Sequence, residues 1–309
     1  MKKRILILSA VILAAIGCAG DQKKKDATST VSDIKGEIQT RNNALIEAAM
    51  MKDFNGIADI YAEDALLLAE YNPLIDGKEG IKKFYTEIFE RQSPTKYQKE
   101  TTELFDFGET ILEIGTFRKS FPDGENRLGP YWHIWELQAD GNLLLRAETF
   151  GYFDAIKKPS TMAVDSIEEA VWNLQAREGV KIPLEYDAYG ALMENIVRDR
   201  DTNKMLELYT KDGSYTPYVD TTKAGIANLS RHYYAYHKNP VVIDSIESAT
   251  YDYIKVPNGV LRFTQFYVEW TVPGFSGMNQ GTGMVYWKRQ EDNSLKIHRQ
   301  IGHHIYSKQ

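Results

Sequence analysis

Apolar residues fall at helical spacing through Ile34, Ile38, Leu45 and Ala49, which predicts an amphipathic helix at the start of a folded body. Asp53 suits the N-cap of a short helix running to Tyr61, and Gly80 to Arg91 carries a third helical stripe. Beyond it the period drops to two. Alternating or β-branched runs near 98–106, 109–121, 130–138 and 143–153, with turn residues between them, predict four strands.

The same order then recurs, with helices near 186–199, 202–210 and 222–237 and strands near 241–255, 259–272, 281–290 and 295–306. Residues match as well. Ile60-Tyr61-Ala62-Glu63-Asp64-Ala65 parallels Leu208-Tyr209-Thr210-Lys211-Asp212-Gly213, Gly80-Ile81 parallels Gly225-Ile226, and Trp135 to Leu145 parallels Trp287 to Ile297. Helices followed by antiparallel strands indicate an α+β fold, so each copy is expected to place three N-terminal helices on one face of a curved antiparallel sheet. Between the copies, Ser166-x-x-Glu169 spells a capping box, and Ile167, Ala170, Val171 and Leu174 form a stripe that Gly179 would end.

The segment before the body has a different pattern. Lys2, Lys3 and Arg4 precede an apolar run from Ile5 to Ile16, too short for a membrane span of about 20 residues, and the run ends in Gly17-Cys18. Ala15-Ile16-Gly17-Cys18 resembles the bacterial lipobox, in which the signal is cut before a Cys that is then diacylated; Leu is the more usual residue where Ala15 stands. Asp21 to Ser32 is polar and without periodicity, as a tether would be. The chain is thus divided into a signal peptide (1–17), an acylated Cys18 with tether (18–32), a first domain (33–155), a linker with a helix (156–183) and a second domain (184–309). The expected location is the bacterial cell envelope, periplasmic or outer-membrane associated, with the membrane engaged only through the lipid anchor.

Composition narrows the function classes. Among 309 residues there is one Cys, which excludes an internal disulfide and a Cys-rich zinc site. A net charge of −6 argues against general affinity for nucleic acid. No Walker loop, dinucleotide fingerprint, nucleophile elbow or HExxH motif occurs, so no cofactor is implied. His298, His303 and His304 do not make a metal site, because His298 and His304 would lie about 20 Å apart along a strand.

A helix, a short helix ending in Tyr61-Ala62-x-Asp64-Ala65, the run Asp76-Gly77-x-x-Gly80-Ile81-x-x-Phe84-Tyr85, and a long sheet containing Trp135-x-x-x-x-Asp140-Gly141 resemble the nuclear-transport-factor-2-like superfamily. The superfamily includes ketosteroid isomerases and SnoaL-like cyclases. The resemblance covers nearly all of 33–155 and, more weakly, 184–306. It implies a cone of curved sheet around an apolar pocket, two cone-shaped domains in tandem, a small-molecule partner, and pairing of the two copies within a chain or of two chains. It does not carry the isomerase chemistry. The positions of the isomerase Tyr, base and oxyanion acid fall on Leu45, Ala69 and His133 in the first copy, and on Met193, Pro217 and Val285 in the second.

The sheet offers another constellation. Asp140-Gly141 suits a two-residue type I′ turn, which would pair Leu137 with Leu144, Trp135 with Arg146, His133 with Glu148 and Tyr131 with Phe150. Arg146 is then expected to stack on Trp135 beside a His133–Glu148 acid–base pair walled by Tyr131 and Phe150. In the second copy the corresponding turn would pair Trp287 with His298 and Val285 with Gln300. Two readings follow. One is ligand binding without turnover through Tyr131, Trp135, Arg146, Phe150, Trp287, His298 and Gln300; the other is a SnoaL-like cyclase, isomerase or hydrolase using His133 and Glu148.

Overall fold

The computed structural model describes residues 31–164 and 174–306. The signal segment, Cys18, most of the tether and the Ser166–Glu169 capping box lie outside the described residues.

In the first copy, α1 (Val31–Met51), α2 (Phe54–Ala58) and α3 (Lys78–Arg91) pack on one face of a sheet. The stripe of α1 buries Ile38, Leu45 and Ala49 as its spacing requires. Asp53 caps α2 by accepting from the Gly56 amide, but α2 ends at Ala58 and Tyr61 opens a strand. Two strands, β1 (Tyr61–Ala69) and β2 (Ile75–Asp76), come before α3, a correction to the expectation of three helices ahead of every strand, and β3 (Lys96–Asp106), β4 (Thr110–Ser120), β5 (Asn126–Leu137) and β6 (Leu143–Phe150) come after it. Their spatial order is β2-β1-β6-β5-β4-β3, and β1 runs parallel to β6. The sheet is therefore mixed, a correction to the all-antiparallel expectation. Strand β1 is buried along most of its length and so lacks the alternation that marks a strand with one wet face.

The second copy repeats this with α4 (Leu184–Asp199), α5 (Thr202–Glu207), α6 (Ile226–His237), β7 (Tyr209–Thr216), β8 (Lys223–Ala224), β9 (Val242–Val256), β10 (Gly259–Val272), β11 (Phe275–Arg289) and β12 (Leu295–His304). The order is β8-β7-β12-β11-β10-β9, again with one parallel pair, β7 with β12. The fold is α+β, in two tandem copies.

Positive-φ glycines correct the internal alignment. Gly77 (φ 81°) precedes α3 and Gly225 (φ 77°) precedes α6, so Gly225 matches Gly77 and not Gly80. A constant offset then joins Tyr61 to Tyr209, Gly77 to Gly225 and Tyr85 to Tyr233. The linker is corrected too. Residues 174–177 are not helical, so no helix reaches Gly179, and the Arg177 amide donates to the Tyr251 carbonyl. Residues Pro159–Thr161 form a single 3-10 turn that tucks Met162 and Val164 into the first core.

The two sheets meet through the faces turned away from their helices. Leu66, Leu68, Leu112, Trp132 and Ile134 of the first copy share one buried cluster with Leu261, Phe263, Met284 and Ile301 of the second. Polar contacts surround it: Arg146 to Asp252 at 2.9 Å, Arg177 to Asp252 at 3.2 Å, Arg299 to Glu103, and Thr149 to His303 at 2.8 Å.

Candidate functional site

On β5, Tyr131, His133 and Trp135 alternate toward the helices while Trp132 and Ile134 face the other copy. The β5–β6 register is Tyr131↔Phe150 and His133↔Glu148 as expected, but Trp135↔Leu145 and Leu137↔Leu143. The loop holds one residue more than a two-residue turn, with Gly141 at φ 86°, and a bulge at Arg146 takes the shift back. The two displacements cancel, which is why His133 and Glu148 still pair. Arg146 is therefore not on Trp135. It projects to the opposite face, where it donates to the Asp64 carbonyl at 2.7 Å and to Asp252.

Glu148 is the centre of the first copy's polar interior. Its Oε2 accepts from the hydroxyls of Tyr61 and Tyr85, and its Oε1 lies 2.9 Å from His133 Nε2 and 3.2 Å from Lys99 Nζ. Lys99 Nζ also lies 2.7 Å from His133 Nε2. Glu113 stands opposite His133 on β4 and is fully buried. It accepts from Asn42 at 2.7 Å, Thr101 at 2.5 Å, Tyr131 at 2.7 Å and the Trp135 indole at 2.8 Å. A carboxylate offers about four lone-pair positions; Glu148 has two protein groups on each oxygen, whereas Glu113 Oε1 accepts three hydrogen bonds and Oε2 accepts one, from Trp135, with His133 Nδ1 at 3.2 Å.

The electrostatics follow from burial and these contacts. Burial alone would raise both carboxyls; Lys99 and His133 instead hold Glu148 well below the usual range, and His133, Thr101 and Tyr131 hold Glu113 down at about 2. Burial and the Glu148 charge push Tyr61 and Tyr85 well up. A carboxylate held so low is a weak base, and a phenol held so high is a weak acid. The His133–Glu148 pair exists, held within a buried network by Lys99, Tyr61 and Tyr85.

An aromatic cavity adjoins this network. It is lined by Phe84, Tyr85, Phe89, Phe150 and Tyr152, with Lys119, Arg127 and Met162, and reaches exposed Thr161. About 20 Å³ of it is open to the centre of a water molecule, room for about one water. Phe150 lines it, as expected; Tyr131 and Trp135 are instead locked onto Glu113. Lys99, Glu113 and Lys119 were not singled out from sequence. Glu113 had a legible signal, a carboxylate between Leu112 and Ile114 in an apolar strand, which cannot stay buried without donors.

The second copy retains the frame without the carboxylates. Gln300 takes the place of Glu148 and accepts from Tyr209, whose hydroxyl lies 2.8 Å from that of Tyr233. Val285 stands in for His133, pairing with Gln300, and Arg262, opposite Val285, stands in for Glu113. Trp287 has consequently lost the acceptor that Trp135 uses, and its Nε1 lacks a hydrogen-bond partner among the described residues. His298 is not on Trp287: it sits in the bulge equivalent to that of Arg146, packed against Phe105 and Tyr286 between the copies. The cation near Trp287 is Arg262, at 5.8 Å. Among the described residues no three His, Cys, Asp or Glu side chains are grouped to hold a metal ion.

Among the solved structures similar to part of the chain, some are named NTF2-like or ketosteroid isomerase-like and others cystatin-like. They include a ketosteroid isomerase-like protein from Erwinia carotovora atroseptica (13% identity, 40% of this chain and 94% of that one, TM-score 0.36). Others are an NTF2-like protein of unknown function from Pseudomonas putida (15%, 42% and 94%, 0.36) and one from Shewanella oneidensis (11%, 38% and 98%, 0.35). Each spans the length of one copy. No protein-family model and no curated protein matches the chain.

Proposed function

We propose that the chain is a lipid-anchored, extracytoplasmic protein whose first copy binds a small, mostly apolar or aromatic molecule in the cavity beside Glu148, without turnover. The observation that carries the reading is the contrast between two neighbouring sites. Glu148 has both oxygens occupied by protein groups and Glu113 is fully buried with four donors, so neither carboxylate is presented to a substrate, whereas the adjoining cavity has aromatic walls and an outer end at Thr161. The cavity has room for about one water, so binding of a larger molecule requires the unbranched Met162 side chain to move aside.

Mass spectrometry of small molecules co-purifying with the full chain tests binding. A ligand recovered with the wild type and reduced in Phe150→Ala supports the cavity, and a chain that carries none and shifts in melting with no aromatic probe contradicts it. The anchor is tested by Cys18→Ser, which is expected to move the protein from membrane to soluble fractions; an unchanged membrane fraction refutes it.

A further inference from the structure

The cavity contains two cations on directly opposed positions of neighbouring strands, Lys119 on β4 and Arg127 on β5. Both side chains are buried, and like charges facing each other across a ladder destabilise it. Arg127 is partly neutralised by Glu125 at 2.9 Å and also donates to Gln92, while its Nη1 points at the Met162 thioether, a weak acceptor, at 3.0 Å, with the Tyr152 hydroxyl nearby. Lys119 has no carboxylate or hydrogen-bond acceptor among the described residues. Its ammonium is instead surrounded by the rings of Tyr97 (4.6 Å), Phe117 (5.0 Å), Phe150 (5.3 Å) and Phe89 (5.7 Å).

The electrostatics agree. Burial, with Lys99 and Arg127 nearby, pushes the Lys119 amine down to about 7 against the pull of Glu148, although ring faces favour the charged form. An acceptor that displaced the Met162 sulfur would relieve both cations at once. We infer that the cavity is a site for a small monocarboxylate, its oxygens held by Lys119 Nζ and Arg127 Nη1 and its apolar remainder lying among Phe84, Phe89 and Phe150. This rests on the binding reading above and names its ligand class.

Calorimetry of the full chain with benzoate and its neutral counterpart benzyl alcohol tests it. Charge-assisted hydrogen bonds should make benzoate bind about tenfold tighter or more. Lys119→Met should erase the preference and Lys119→Arg should keep most of it. In the wild type, where folding is not in question, benzoate should protect Lys119 from trinitrobenzenesulfonate, read by peptide mass spectrometry. Equal binding of the two probes overturns the carboxylate inference and leaves the cavity reading standing. Absence of binding by either overturns both. A preference that survives Lys119→Met, or no protection of Lys119, removes the site from this cavity.

Discussion

Glu148 and Gln300 occupy equivalent positions and accept from equivalent tyrosines, yet only Glu148 has Lys99 and His133 beside it. Each residue is matched to the groups that touch it: a carboxylate where Lys99 and His133 reach it, an amide where only tyrosine hydroxyls do. Glu148→Gln would keep the tyrosine bonds but leave Lys99, 1% exposed, without its counter-ion. Loss of one partner of a buried pair predicts a destabilisation of about 3–5 kcal/mol, measured as a lower urea midpoint at unchanged m-value. A shift below about 1 kcal/mol would mean that the charges are not coupled in this way. Acid should act through Glu113. Its carboxyl falls from 4.5 to about 2 on folding, so the stabilisation is complete above 4.5 and is lost as pH falls toward 2. The loss is on the order of 3 kcal/mol. Glu113→Gln should flatten that part of the stability-versus-pH curve, and an unchanged slope would contradict the assignment.

At the scale of elements, local chemistry and long-range pairing contributed separately. The helix faces, the Asp53 cap and most strand positions were legible because each depends on residues within a few positions. Strand β1 was not, since burial on both faces removes alternation. The β5–β6 register was half legible: turn chemistry placed the hairpin, but the bulge at Arg146 depends on what the strand meets beyond it, Asp64 on one side and Asp252 on the other. The element starts at Gly77 and Gly225 make a sharper test. Their φ of 81° and 77° with ψ of 151° and 153° lie in a region essentially reserved for glycine. Gly77→Ala and Gly225→Ala should each cost about 1–3 kcal/mol in chemical denaturation, whereas Gly80→Ala, within α3, carries no such φ penalty. A Gly77→Ala or Gly225→Ala variant as stable as the wild type would refute the corrected alignment.

For the whole molecule, the decisive feature is that the central strands of both sheets are covered on both faces, while the edge strands β3 and β9 keep exposed positions. Trp132, Leu112, Leu261 and Phe263 are buried only because the copies cover one another, and Arg146, Arg177 and Arg299 close the rim with carboxylates. Residues 31–164 expressed alone would expose this apolar face and are expected to self-associate or aggregate, read by sedimentation. A soluble monomer would show that the face needs no cover. Arg299→Ala, which leaves Glu103 without its partner, should weaken the coupling between copies and broaden or split the unfolding transition.

Local pattern in the chain determined the duplication, the helix faces, most strands and the α+β class, because periodicity and capping act over a few residues. Tertiary structure alone decided that Arg146 and His298 leave the interior, that Lys99 and Lys119 enter it, and that a dense polar network stands beside an aromatic cavity. Those outcomes depend on bulges, on strand neighbours distant in sequence and on the buried face of the other copy, so no local period encodes them.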